Sequence, residues 1–308
     1  MRAASTASAP RSDRRRLAGL LAGLLIFGFL AWSLVSGWRR VADYDWQLDI
    51  PLLVAGIAVL LVFYAASGIG FVAVLEALGP SPPRRATMSI WAKSLLGRYV
   101  PGNILMVVGR VVLLFERGVA RRVALAATVY EQALALGVAA ALGVVLLAVS
   151  GSSALGPAAW ALAVVPVGLV FLHPKLFGPI SAWLLRLFKR EPLPQLLRGR
   201  VVAYLAAWYA LTALVLGVGI WLLVISAAGG DDLDVWLVSA GFLLSFVVSM
   251  LAFVFPSGIG VREGAFALAL ATALPGAVAI TLAVGVRLVL TLVELAYVGA
   301  AVLAGRRA

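Results

Sequence analysis

The chain has 308 residues, of which 63% are hydrophobic and 12% are charged, and its mean hydropathy is +1.07. Soluble domains are about half apolar and a quarter charged, so this composition excludes a water-soluble domain and indicates an integral membrane protein. The sequence has no cysteine and a single histidine. That excludes disulfides, thiolate metal sites and multi-histidine clusters, and we expect neither a metal nor a cofactor.

Six apolar stretches approach or exceed the roughly 20 residues that a membrane-spanning helix needs. They cover residues 17–36, 52–77, 123–149, 158–172, 201–227 and 277–303. The first follows a basic tail, residues 1–16, and resembles a signal peptide. Its apolar run is long for such a peptide and no clear cleavage site follows, so we interpret it as the first span.

Two further apolar regions, residues 89–115 and 235–274, are interrupted by helix breakers. The first is broken at Pro101 and Gly102, and the second at the sequence FPSGIG, which contains Pro256. We expect each region to form two half-helices that meet at the break, as in a re-entrant hairpin. Because lipid cannot satisfy free backbone groups, such a break must be buried in protein or line a wet cavity.

The basic residues are concentrated on one predicted side of the membrane. If the N-terminus is cytoplasmic and both hairpins return to the side they enter from, 21 lysines and arginines lie inside and two lie outside. This positive-inside distribution predicts a multi-pass protein of the bacterial cytoplasmic (inner) membrane with both termini in the cytoplasm. Membrane topology therefore explains the formal charge of +12, and we expect no nucleic acid partner.

The order of the elements is the same in both halves of the chain: two spans, a broken hairpin and a third span. We therefore predict an all-α polytopic membrane protein with about six full spans and two re-entrant hairpins in an inverted repeat. Repeat 1 covers about residues 17–149 and repeat 2 about residues 158–304 of one membrane domain, 17–304, before a short tail, 305–308. Paired breaks in two such halves indicate a transporter's binding site, whereas two unrelated breaks are the alternative.

Seven ionisable residues fall inside the predicted membrane segments, where a charge costs about 2.5–3.5 kcal/mol on insertion scales and is usually paired or functional. They are Arg98, Arg110, Glu131, Arg262, Glu263, Arg287 and Glu294. Glu131 and Arg287 occupy equivalent positions in the two halves, so we expect an ion pair between them. Arg287 and Glu294 share one face of a helix. We assign Glu131, Glu263, Arg287 and Glu294 to buried ion pairs or coupling; a purely structural ion pair is the alternative.

The residues beside the two breaks suit an anion. Asn103 is a good N-cap for a half-helix from Ile104, and glycines precede a half-helix that starts near Val261. Free N–H groups at a helix N-terminus attract anions. The positive charge of Arg262 in the first turn opposes the helix dipole, so this position is favourable only if the side chain faces an anion. We therefore predict a site for an anionic lipid headgroup formed by Arg98, Asn103, Arg110, Gly258, Gly260 and Arg262, with Pro101, Gly102 and Pro256 as the helix-break residues.

The motifs GRYVPGN, followed by GR, and PSGIGVREG resemble those of the lysylphosphatidylglycerol synthase transmembrane region family, also called flippase-like proteins. The chain departs from that family at Glu131-Gln132, where members often have Glu-Arg. The resemblance implies a membrane domain similar to the membrane half of the bacterial enzyme that makes and flips aminoacylated phosphatidylglycerol. No soluble aminoacyl-transferase domain follows Ala308, so we expect no enzymatic activity.

The expected function is that of a lipid flippase that binds anionic headgroups at a midplane site between the repeats. The expected partners are membrane lipids, either an anionic phospholipid or a polyprenyl- or hopanoid-type lipid, together with a second copy of the chain or an enzyme of lipid biosynthesis. The alternative is a non-transporting subunit or enzyme of lipid or glycolipid biosynthesis.

Overall fold

The computed structural model describes residues 41–99, 104–151, 197–229, 233–251 and 260–305. Within these ranges the regular structure is helical, apart from one isolated bridge between Gln47 and Ala228. The helices are α1 Ile50–Leu78, α2 Arg84–Leu95, α3 Ile104–Phe115, α4 Arg121–Val149, α5 Gly199–Ala228, α6 Val235–Leu251, α7 Val261–Leu270 and α8 Gly276–Gly305, with a 3₁₀ turn, Leu96–Tyr99, directly after α2. The predicted all-α class is therefore confirmed.

Four of these helices, α1, α4, α5 and α8, are 29 or 30 residues long and apolar enough to cross a membrane. At 1.5 Å per residue they measure about 44 Å, which exceeds the roughly 30 Å hydrocarbon core of a bilayer. Their ends agree within two residues with the four spans predicted for these parts of the chain. The predicted spans at residues 17–36 and 158–172 lie outside the described residues.

All four long helices expose large apolar side chains on their outer surfaces. Val62, Val145, Leu211 and Leu292, one from each helix, have more than half of their surface exposed. An apolar surface of this extent is typical of a contact with lipid rather than with water. It is the outer surface that a polytopic membrane protein requires.

Both predicted breaks separate two helices, although the break residues themselves lie outside the described part of the chain. α3 begins at Ile104 and α7 begins at Val261, which are the two positions expected from the sequence. We call α2, the 3₁₀ turn and α3 the first hairpin, and α6 with α7 the second hairpin. In the first hairpin, Gly97 lies directly against the backbone of Leu105 and Met106, so its missing side chain allows the two arms to meet.

The two halves of the chain pack through reciprocal contacts. α1 and α5, the corresponding helices of the two halves, run antiparallel: Gly56 contacts Leu223, Gly70 contacts Tyr209, and the backbone N–H of Asp49 donates to the Ser226 carbonyl. Small residues let the two helices approach closely, as is common in membranes.

The last helix of each half packs against the first arm of the other half's hairpin. α4 contacts α6 at Gly143 and Leu244, and α8 contacts α2 at Tyr297 and Trp91. Each hairpin is therefore held between helices of both halves.

We predict that Gly97→Ala lowers the free energy of unfolding by about 1–3 kcal/mol, because the new Cβ would overlap the backbone of the opposite arm. Thermal unfolding of the purified protein in detergent measures the change. The matched control is Gly109→Ala in α3, where no atom lies within 4 Å of the added Cβ, and this variant should be at least as stable as the wild type. Equal stability of the two variants would contradict the close contact.

Candidate functional site

A cavity of about 160 Å³ lies in the middle of the helices, and every described helix contributes to its wall. One buried water needs about 10–15 Å³, so the cavity has room for a headgroup-sized polar group. Its wall brings together Arg98 and Glu131 from the first half and Arg262 and Arg287 from the second. Four of the seven interior charges predicted from the sequence therefore face one space.

Arg110 and Glu131 form an ion pair between α3 and α4. Glu131 also accepts hydrogen bonds from the indole N–H of Trp91 at 2.6 Å and from the Gln132 amide at 3.2 Å. Arg110 donates through Nε to the Ser94 hydroxyl at 2.9 Å. The Arg110 side chain is completely buried, so it lies behind Glu131 and does not reach the cavity where it was expected to contact a headgroup.

Arg98 and Glu294 form a second ion pair, with 3.0 Å between Nη1 and Oε2. The same carboxylate oxygen accepts a hydrogen bond from the Tyr64 hydroxyl at 2.8 Å. The pair joins the 3₁₀ turn of the first hairpin to α8 of the second half. About a third of the Arg98 side-chain surface is exposed (31%), and the side chain lines the cavity, whereas Glu294 is buried behind it.

Glu263 and Arg287 form the third pair, at 3.4 Å, between α7 and α8. The other carboxylate oxygen of Glu263 accepts the backbone N–H of Gly260 at 2.7 Å, which closes the N-terminus of α7. Gly260 has a φ of 85°, a left-handed conformation that favours glycine. Its N–H group, expected to be open to an anion, is therefore already occupied by the protein's own carboxylate.

The prediction of an ion pair between Glu131 and Arg287 is wrong. Glu131 pairs with Arg110 of the preceding hairpin, and Arg287 pairs with Glu263 of its own preceding hairpin. Equivalent positions in two repeats give two residues the same depth, but the pairing depends on which helices lie side by side. Glu131 of α4 and Arg287 of α8 instead pair with the hairpin arm that directly precedes their own helix.

Arg262 differs from the other three interior arginines because no carboxylate in the described part of the chain lies within 4 Å of it. Its guanidinium lies over the ring of Phe242, 4.5 Å from the centroid, and 5.4 Å from that of Phe246. Its Nε atom is buried without a hydrogen-bond partner, and the side chain lines the cavity. A cation–π contact stabilises a cation by about 0.5–2 kcal/mol but does not neutralise its charge. The Arg262 guanidinium can therefore still bind an anion.

Besides Arg110, three described residues of the predicted site do not line the cavity. Gly260, Glu263 and Glu294 lie behind its wall. Asn103, Pro101, Gly102, Pro256 and Gly258 lie outside the described residues. No group of three or more histidine, aspartate or glutamate side chains that could hold a metal ion is found among the residues that the structure describes.

Three wall residues that combine an aromatic ring with a polar group were not predicted from the sequence. Tyr64, Trp91 and Tyr209 line the cavity, and the Tyr209 hydroxyl is buried without a hydrogen-bond partner. A signal was present, because Tyr64 and Tyr209 lie near the middle of corresponding helices in the two halves. The polar tip of a tyrosine needs a partner when it is buried in an apolar segment, so such a pair indicates a polar interior.

The fold and the cavity define a polytopic helical membrane protein with a charged interior. The sequence matches the family Lysylphosphatidylglycerol synthase TM region over residues 17–297, nearly the whole chain. The chain belongs to this family, as its two motifs indicated, and so to a group of membrane proteins with a lipid-related function. The match is to the membrane region, without a catalytic domain. A comparison with curated proteins found no match.

We predict that Arg110→Met destabilises the protein by about 3–5 kcal/mol, because it leaves the Glu131 carboxylate buried and unpaired. The double variant Arg110→Met, Glu131→Met should recover most of that loss, since an apolar pair of similar volume needs no partner. Denaturant unfolding of the three proteins in micelles tests this. A double variant as unstable as the single one would show that the two residues are not each other's main partners.

Proposed function

We propose that the protein is a lipid flippase that binds an anionic lipid headgroup in the central cavity. The observation that carries the proposal is the Arg262 guanidinium, which lines the cavity without a carboxylate partner among the described residues. A charge in the membrane interior is costly, and such residues are usually paired or part of a substrate path. The phosphate of a lipid headgroup supplies the missing anion.

Arg98 is the second residue that favours an anionic ligand. It is partly exposed to the cavity and uses one nitrogen for Glu294, so its other N–H groups are available to a phosphate oxygen. Arginine suits this role because its planar donors bind phosphate oxygens in pairs. Arg98 belongs to the first hairpin and Arg262 to the second, so a bound headgroup would contact both hairpins.

The reciprocal packing supports an inverted repeat of about residues 17–149 and 158–304. The corresponding helices α1 and α5 run antiparallel, as they do when two halves enter the membrane from opposite sides. The exchange of contacts, α4 with α6 and α8 with α2, is what a two-fold relation between the halves produces. In transporters of this kind the substrate site lies at the repeat interface, and small movements of the halves expose it to each side in turn.

The direction of insertion follows from the distribution of arginine and lysine along the chain. We place the protein in the bacterial inner membrane with both termini in the cytoplasm, because positive loops are retained on that side. The headgroup would cross the membrane through the cavity while the acyl chains remain in lipid.

We expect the purified protein in liposomes to move a phosphatidylglycerol with a fluorescent acyl chain between leaflets faster than protein-free liposomes do. Arg262→Gln should slow this movement about 10- to 100-fold, which corresponds to the loss of one charge-assisted hydrogen bond. Extraction of the outer-leaflet lipid by albumin measures the rate.

The matched control is Arg121→Gln. Arg121 also lies over a phenylalanine ring, that of Phe115 at 4.2 Å, but it is exposed at the start of α4 and does not line the cavity. This variant should transport at the wild-type rate. A wild-type protein that binds the lipid without moving it would overturn the flippase proposal in favour of a non-transporting subunit of lipid biosynthesis.

A further inference from the structure

The charges around the cavity do not balance. Among the described residues, the interior contains four guanidinium groups and three carboxylates, and each carboxylate is paired with one arginine. The two undescribed stretches inside the hairpins, residues 100–103 and 252–259, contain no ionisable residue in their sequences. The described interior therefore has a net charge of plus one, carried by Arg262.

We propose that the transported lipid is a phosphodiester with an uncharged headgroup, so that it carries one net negative charge. This inference rests on the proposed flippase function and specifies its substrate. A single negative charge brings the cavity and its ligand to neutrality, which is the lowest-cost state in the membrane interior. A phosphomonoester with two charges would leave a net negative site, and a zwitterionic or cationic headgroup would leave the positive charge uncompensated.

The carboxylates offer little to a positively charged headgroup. Glu131, the carboxylate that reaches the wall, already accepts hydrogen bonds from Trp91, Arg110 and Gln132. Glu294 has one oxygen without a hydrogen-bond partner, but this oxygen is buried and the residue does not line the cavity. An ammonium or aminoacyl group would therefore enter a site with a surplus cation and no free carboxylate.

The neutral part of the wall suits hydroxyl groups. The Tyr209 hydroxyl has no partner and can both donate and accept a hydrogen bond. The wall also contains the Gln132 amide and the aromatic side chains of Tyr64 and Trp91. A polyol attached to the phosphate, such as glycerol, can form hydrogen bonds with the Tyr209 hydroxyl and the Gln132 amide and adds no charge.

The wild-type protein tests the inference without any substitution. Liposomes at pH 8 would contain acyl-labelled phosphatidylglycerol, phosphatidylethanolamine, phosphatidic acid or lysylphosphatidylglycerol, which carry net charges of about −1, about 0, about −2 and between about 0 and +1. We expect phosphatidylglycerol to be translocated about tenfold faster, or more, than each of the other three. A second lipid that moves as fast as phosphatidylglycerol would overturn the inference while leaving the flippase function intact, and no movement of any of the four would overturn the flippase function itself.

A change of pH provides a second test of the inference, because a phosphomonoester gains its second proton at about pH 6. At pH 5 phosphatidic acid carries one charge, so its rate relative to phosphatidylglycerol should rise about tenfold above the ratio at pH 8. The ratio cancels only effects of pH that act equally on both lipids; the charged and titratable groups around the cavity are Arg98, Arg262, Arg287, Glu131, Glu263, Glu294 and the tyrosines. An unchanged ratio would contradict selection by charge.

Substitution of Arg262, which carries the unbalanced positive charge, provides a third test. In Arg262→Gln the preference for phosphatidylglycerol over phosphatidylethanolamine should fall toward one, and in Arg262→Lys and the control Arg121→Gln it should remain. A preference that survives Arg262→Gln would overturn the assignment of the charge to this residue.

Glycerophosphoglycerol, the same diester without acyl chains, should not compete at equal concentration; competition would indicate a soluble substrate and would count against the flippase function.

Discussion

The fold depends on one constraint: a charged group in the membrane interior must have a partner. The protein meets this constraint with three ion pairs, and each pair joins a hairpin to a long helix. Arg110 reaches α4, Glu263 reaches α8, and Arg98 reaches across to α8 from the other half. Because leaving either member alone is far more costly than burying both, the pairs fix how the hairpins sit against the long helices.

The fourth arginine gives the interior its chemistry. Arg262 is held by two phenylalanine rings, which supply an attraction without neutralising its charge. A protein that needed only stability would pair this residue or replace it with an apolar one. Its position in the wall of a cavity lined by both halves is the reason why we propose it as the contact for an anionic lipid headgroup. The proposed headgroup binding and the proposed charge of the substrate therefore both depend on this residue, and both suit a lipid-related family.

The two kinds of packing also differ in a way that suits transport. The long helices α1 and α5 contact each other through glycines, which give a close interface between the halves. The hairpins are short, lie between helices of both halves and carry two of the three cavity arginines, Arg98 and Arg262. In the proposed transport, a small shift of a hairpin would change both the access to the cavity and the position of one of these arginines.

The sequence alone determined the class of protein, the ends of the four described long helices to within two residues, and the starts of α3 and α7. These properties are local, since hydropathy and helix breakers act within a few residues of the chain. It also identified the seven interior charges, because ionisable residues stand out in apolar segments. Only the tertiary structure decided their partners: Glu131 pairs with Arg110 instead of Arg287, and the Gly260 N–H is bound by Glu263. Pairing depends on which helices lie side by side, and residues at equal depth in two repeats are not therefore neighbours.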